Sequence, residues 1–255
     1  MKIAYFARLN LAVPDASTHH VFEFCRQFAK SGHDITLFVP DMGPRPKIEG
    51  VSFYFVPILI QKTWASFFTF YLALFFLFPF YWYQNHPEVV YTRHQQLEWL
   101  VAWQKWVLGF LYVAEVNGLA PVELKMNGAS PAYIAWVQLM ERISFEMADA
   151  LVCPSPIIRD RISEAYGIPP SQFLVVTNGA DPWHCRPLNQ AECRDRLELD
   201  ANASILLFVG SLKSWHGIER IVEVMPHLIE SVPEVKLLIV GDGPKRPLIE
   251  RLIED

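Results

Sequence analysis

The chain has 255 residues, 52% of them hydrophobic and 14% aromatic, enough to bury a core in one large domain or two modest ones. A net charge of −5 with no stripe of Lys and Arg excludes a nucleic-acid binder, because neutralising phosphates takes clustered cations. Four cysteines, Cys25, Cys153, Cys185 and Cys193, stand at irregular separations without a C-x-x-C pair, which argues against a zinc ribbon or disulfide framework and for reduced thiols in a cytoplasmic protein.

Met1-Lys2 leads into an apolar run that Arg8 interrupts, and no small-residue cleavage site follows, so a strand is expected there rather than a signal peptide. Strand Ile3 to Ala7, helix His20 to Lys30, the turn Ser31-Gly32-His33 and strand Ile35 to Val39 form one βαβ unit. Further strands are predicted at Val51 to Val56, Val89 to Thr92, Phe110 to Val116, Ala150 to Cys153 and Phe173 to Val176, with a long helix over Ala129 to Met147. That alternation predicts an α/β fold with a mostly parallel, doubly wound sheet.

Between Thr63 and Pro87 there is no Lys, Arg, Asp or Glu, and residues 64–83 are dense in Phe, Leu and Tyr. By length the segment suffices to cross a bilayer. A crossing would put strands of one sheet on opposite sides of the membrane, so a helix lying on the membrane surface is the first expectation, a helix buried in the fold the second and a true span the third.

After Thr177-Asn178-Gly179-Ala180-Asp181-Pro182 a fresh alternation begins: strand Ile205 to Val209, helix Ile218 to Ser231, strand Val235 to Val240 and helix Pro247 to Ile253. The expected domains are residues 1–187 and 188–255, and two strands are too few for the second to stand alone, so it is expected to be incomplete.

Chemistry concentrates in the second domain. In Phe208-Val209-Gly210-Ser211-Leu212-Lys213-Ser214-Trp215-His216-Gly217-Ile218 a strand ends in glycine and a loop enters a helix after a second glycine. Glycines admit a phosphate to the backbone, and a cation with the free N–H groups of a helix N-terminus holds it, although an ordinary βα loop carries the same residues. Leu237-Leu238-Ile239-Val240-Gly241-Asp242-Gly243-Pro244 repeats the scheme.

Two such turns in succession, preceded by Asn178-Gly179-Ala180-Asp181, resemble the ordered motifs of glycosyltransferase family 4. The resemblance extends to Gly32-His33-Asp34-Ile35-Thr36 and Ala148-Asp149-Ala150-Leu151-Val152-Cys153-Pro154-Ser155, so it covers nearly the whole chain. It implies a GT-B-like fold of two Rossmann-like domains and a retaining transferase. Its donor would be a nucleotide sugar, UDP- or GDP-linked, and its acceptor a glycan or lipid-linked molecule, with no cofactor and no metal. The resemblance further implies donor-binding roles for Gly210, Ser211, Lys213, His216, Gly217, Gly241, Asp242 and Gly243, with Asn178, Gly179 and Asp181 at the inter-domain crossing.

Three departures from the family stand out. The diphosphate loop has Ser211 and His216 where Arg and Lys are usual, leaving Lys213 as the expected phosphate contact. The glycine pair before the first helix is replaced by Asp15-Ala16-Ser17-Thr18-His19-His20. The family's paired glutamates would lie beyond Asp255, so the catalytic residues are unknown and these residues alone are expected to have little activity.

In the first domain Glu115 and Asn117 follow a strand at the edge where open α/β sheets place ligands, and Arg93 and His94 follow another. His19 and His20 at the start of the first helix complete the acceptor-side candidates, although a histidine at a helix start is more often a solvated neighbour of the cap. The expected protein is a cytoplasmic hexosyltransferase of polysaccharide assembly at the inner membrane surface. The alternative is a non-catalytic interaction module that keeps the acceptor domain. A dinucleotide oxidoreductase is disfavoured, because Arg8-Leu9-Asn10-Leu11 stands where G-x-G-x-x-G is needed.

Overall fold

Strands that are apolar at both odd and even positions must be covered on both faces, which in a single chain means a parallel sheet wrapped by crossover helices. The computed structural model describes residues 1–11, 16–58, 63–183 and 185–254, with side chains from Ser66 onward in the helix that begins at Thr63. Two compact units divide it. One comprises residues 1–121 and 130–178, and the other residues 122–129 with the chain from Gly179 onward.

The chain order opens with β1 (Lys2–Phe6), α1 (Ala16–Lys30), β2 (Asp34–Pro40), β3 (Val51–Val56), α2 (Thr63–Asn85) and β4 (Val89–Arg93). It continues through the short helices α3 (Trp99–Ala102) and α4 (Lys105–Leu108) to β5 (Leu111–Glu115), α5 (Ala120–Met126) and α6 (Pro131–Met147). Then come β6 (Ala150–Cys153), α7 (Pro156–Tyr166) and β7 (Phe173–Val175). The remaining elements are α8 (Gln190–Arg196), β8 (Ser204–Val209), α9 (Ile218–Ser231), β9 (Val235–Val240) and α10 (Arg246–Glu254).

The first unit holds a seven-stranded sheet in the order β3-β2-β1-β4-β5-β6-β7, every neighbouring pair parallel. Side chains alternate across it into two cores. Ile3, Tyr5, Ile35, Leu37 and Tyr91 pack with Val21 and Cys25 of α1 on one face, and Ala4, Phe6, Phe38, Val90 and Tyr112 pack with α2 on the other. The turn after α1 closes as its sequence demands: Gly32 takes φ 83°, and the His33 N–H donates to Phe28 O at 3.1 Å. Asp149, within the motif preceding β6, is a structural clamp. Its carboxylate accepts the Tyr112 N–H at 2.7 Å and the Lys105 ammonium at 2.9 Å, tying β5 and α4 to the start of β6.

α1 begins one turn earlier than the sequence predicts, at Ala16, and α7 is an element the sequence reading passes over. The signals for α7 are present in Ser155, which caps it by accepting the Ile158 N–H, followed by Pro156 in the first turn.

In α2, Phe70, Tyr71, Leu74 and Phe78 are fully buried on one face, with Phe78 edge-on to Phe6 at 5.0 Å and to Phe110 at 5.5 Å. The helix contains Pro79, which has no N–H to offer the carbonyl of Phe75 one turn back. Gln104 supplies the missing donor, its Nε2 lying 2.6 Å from Phe75 O. A side chain at the α3–α4 corner thereby repairs the α2 backbone and fixes these helices together.

The second unit contains the parallel pair β8–β9. Phe208, Leu237 and Ile239 pack with Leu212, Ile218, Val222 and Ile249 under α9 and α10, while Leu207, Val209 and Val240 are exposed.

Removing Gln104 strands a buried carbonyl, so Gln104→Ala should lower the stability of the first unit by about 1–3 kcal/mol in urea titration. Adding Pro79→Ala restores an N–H opposite Phe75 and should recover much of the loss. A double variant no more stable than Gln104→Ala would show that the bond does not serve this purpose.

Candidate functional site

In the sheet order, β2 and β4 flank β1, so the chain winds away from the β1–β4 pair in both directions. The carboxyl ends of these strands and of β5 therefore form the edge at which doubly wound sheets leave room for ligands. Glu115 closes β5 there, in register with Arg93 of β4. Its side chain is only 5% exposed, and a carboxylate at such depth needs donors.

Four side chains supply them. The Tyr91 hydroxyl donates at 3.0 Å and the Tyr5 hydroxyl at 3.4 Å, from residues that are register partners in β4 and β1. His20 Nε2 of α1 lies 2.7 Å from Glu115 Oε1, and the Asn117 amide bonds the same oxygen. Burial alone would raise the Glu115 carboxyl, but the bonds from His20 and Asn117 and the charges of His20 and Arg93 outweigh it and hold the group below the usual carboxylate range. Glu115 is thus ionised and accepts only, which makes His20 Nε2 the protonated nitrogen.

Around this carboxylate two phenols and a thiol are held in their neutral forms. Burial, with the Glu115 charge next, raises the phenols of Tyr5 and Tyr91 and pushes the Cys25 thiol up to about 12. Cys25 is accordingly a packing residue and not a nucleophile.

Glu115, Asn117, His20 and Arg93, proposed separately from sequence, come together here. Arg93 reaches back to α1 and donates to Ser17 O at 3.3 Å. His20 remains 31% exposed, so the cluster has one side open to a ligand. His19 is exposed beside it, and of the run Asp15 to His20 the first residue lies outside the described residues. Tyr5 and Tyr91 were not anticipated, because a tyrosine inside an apolar strand reads as core from its neighbours alone.

His94 occupies a different setting. Its ring is 6% exposed, lies tilted against Phe145 with centroids 4.7 Å apart, pairs through Nδ1 with Glu98 and lies 3.6 Å through Nε2 from Glu141. Tyr166 donates its hydroxyl to the same Glu141. Burial would push the imidazole down, but the two carboxylates prevail and raise it to about 9. His94 is a buried cation bracketed by acids.

In the second unit the two glycine turns are fitted to each other. The Gly210 N–H donates to Val240 O at 3.0 Å, Leu212 N–H to Asp242 O at 2.9 Å, and Lys245 N–H to Leu212 O at 3.0 Å, which extends the β8–β9 pairing beyond the strands. A Cβ on Gly241 would lie 1.9 Å from Gly210 O, and one on Gly243 would lie 2.7 Å from the Leu212 backbone. These glycines serve close approach of backbone to backbone.

The fit leaves Leu212 buried and turns Ser211, Lys213 and His216 outward. Lys213 Nζ rests 4.8 Å from the centre of the Trp215 ring. Gly217, at φ 63°, delivers the chain into α9 without a side-chain cap; Ile218 after it is buried, and the Arg220 N–H is taken by Gly217 O at 3.1 Å. Asp242 has an exposed side chain that accepts the Gly243 N–H of its own turn at 2.8 Å and lies 3.7 Å from Arg246. The chain passes from one unit to the other between Asn178 and Gly179, both exposed, and Asp181 accepts the Trp183 N–H at 2.8 Å.

Residues 17–184 match the family described as Glycosyltransferase Family 4, and residues 189–255 match Glycosyl transferases group 1. The D-inositol 3-phosphate glycosyltransferase of Rhodococcus jostii is 27% identical over 164 residues, covering 64% of this chain and 36% of the relative. Sucrose-phosphate synthase from Thermosynechococcus elongatus superposes with a TM-score of 0.76 at 18% identity, over 99% of this chain and 67% of that one. HepE of Anabaena, in complex with UDP-glucose, gives 0.67 at 13% identity, over 100% and 65%. The chain thus spans about a third of the curated relative's length. Against these solved structures, with which it shares the GT-B fold, it spans about two thirds.

Because His94 is raised from an ordinary 6.5 to about 9, its contribution is complete below about pH 6.5 and is lost as pH climbs through about 9. The urea midpoint of the first unit, followed by tryptophan fluorescence, should fall across that window by on the order of 3 kcal/mol of stability. In His94→Gln the fall should vanish; an unchanged profile would place the titration elsewhere.

Proposed function

This chain belongs to glycosyltransferase family 4, and we propose that it takes part in moving a hexosyl group from a nucleotide sugar to a glycan or lipid-linked acceptor at the cytoplasmic face of a membrane. One observation carries the donor side: the loop from Gly210 to Ile218 exposes the Lys213 ammonium and the Ser211 hydroxyl, with its apolar anchor Leu212 inside. A diphosphate needs positive charge and hydrogen-bond donors, and this loop offers both. Glu219, in the first turn of α9, is paired with Lys245 at 3.5 Å, which tempers its repulsion of an incoming anion.

Lys213 takes the main charge contact in this assignment, with the Ser211 hydroxyl beside it. HepE, a protein of the same fold, is known with UDP-glucose bound, which supports a UDP-linked donor.

On the acceptor side, Glu115 engages His20 through Nε2, leaving Nδ1 as the nitrogen able to hydrogen-bond a sugar hydroxyl. Asn117 and Arg93 supply further donors at the same strand ends. Glu115 acts through His20 and is a positioning residue.

Titration calorimetry with UDP and with GDP tests the donor assignment. Lys213→Ala loses a charge-assisted bond and should weaken nucleotide binding by about tenfold or more. His20→Ala should leave nucleotide affinity unchanged. Equal affinity in Lys213→Ala and the parent chain rejects Lys213 as the phosphate contact.

A further inference from the structure

The exposed side of α2 carries Phe68, Phe76, Phe80 and Tyr83, spaced so that they fall on one stripe opposite the buried Phe70, Leu74 and Phe78. Phe76 is 60% and Phe80 72% exposed. A second aromatic segment lies beside it. Gln104, bonded to Phe75 O in the middle of α2, sits between Trp103 and Trp106, and both indoles are exposed.

We infer that this two-part aromatic surface docks on a lipid bilayer, entering one leaflet from the side without crossing it. The inference rests on no part of the donor assignment. The chemistry of the surface selects the occupant. From Thr63 to Pro87 there is no Lys, Arg, Asp or Glu, and the ammonium beside the two tryptophans, Lys105, is folded back onto Met147 O at 2.6 Å and Asp149. A protein partner would be expected to exchange about one hydrogen bond per 100–200 Å² of interface. A stripe of Phe presents nothing to exchange. Hydrocarbon asks for no hydrogen bonds, and Trp and Tyr at the rim are the side chains that settle at the level of lipid headgroups.

The segment Ser66–Asn85 is long and apolar enough to cross a membrane by composition. It does not act as a span, because Phe70, Tyr71, Leu74 and Phe78 are fully buried against the sheet and crossing would strip them from the core. The flat arrangement keeps the buried face in the protein and gives the other to lipid.

Flotation of the 255-residue chain on vesicles of phosphatidylethanolamine and phosphatidylglycerol tests this. The chain should float, should continue to float in high salt because the contact is apolar, and should show a blue shift of tryptophan emission. Phe76→Ser with Phe80→Ser should reduce partitioning at least about tenfold, since each lost phenyl removes most of a decade or more. Trp103→Ser with Trp106→Ser should reduce it and abolish much of the blue shift, and serves if the first pair fails to fold by circular dichroism. A chain that stays at the bottom of the gradient overturns the proposal. So does binding that salt abolishes or that both folded variants retain. A dimer that the Phe76 and Phe80 changes dissociate, without vesicle binding by the parent chain, would assign the surface to a second copy instead.

Discussion

Covering a parallel sheet on both faces leaves its polar chemistry nowhere to go but the strand ends, and the first unit is organised by that constraint. Glu115 sits at such an end and is nearly buried, so its charge survives only because donors converge on it from β1, β4, α1 and the exit of β5. The dependence is mutual. Those four donors hold the first turn of α1 and the carboxyl ends of three strands in one register, so the residues that shape the site are also the ones that close the sheet around it.

The second unit solves a similar problem with backbone alone. Its two turns meet so closely that side chains at Gly241 and Gly243 would collide with Gly210 and Leu212. The glycines bring the β8 and β9 turns into contact, a requirement of the backbone alone, and that contact leaves Ser211 and Lys213 exposed while Leu212 and Ile218 are buried.

All seven strands of the first unit were legible within a residue or two, because their apolar runs are bounded by Gly, Pro and Asp and leave few alternative registers. Glu115, Asn117 and Arg93 were legible through strand-end position, and His20 through its place near the start of the first helix. Tyr5 and Tyr91 were not, because strand periodicity tells that a side chain is buried and not what its hydroxyl meets. The bond from Gln104 to Phe75 was equally hidden. Pro79 announces an open carbonyl in α2, but the donor arrives from a helix corner 25 residues later, and no local pattern links them. The same limit separates Arg93 from His94: adjacent in sequence after one strand, they face different surroundings once α3 and α6 pack.

That last pair shows how burial sorts chemically similar groups. Among the described residues of the first unit two histidines meet carboxylates, His20 with Glu115 and His94 with Glu98 and Glu141. In both the acid supports the imidazole, and by residue type alone they are indistinguishable. His94 is enclosed on all sides, so its proton answers to the two acids and no ligand reaches the ring; its effect is on stability. His20 keeps about a third of its side chain in solvent while its partner is sealed, which fixes one nitrogen and frees the other toward the outside. A group held rigidly from within and open on one side is what binding chemistry requires, and at these strand ends the sheet provides it.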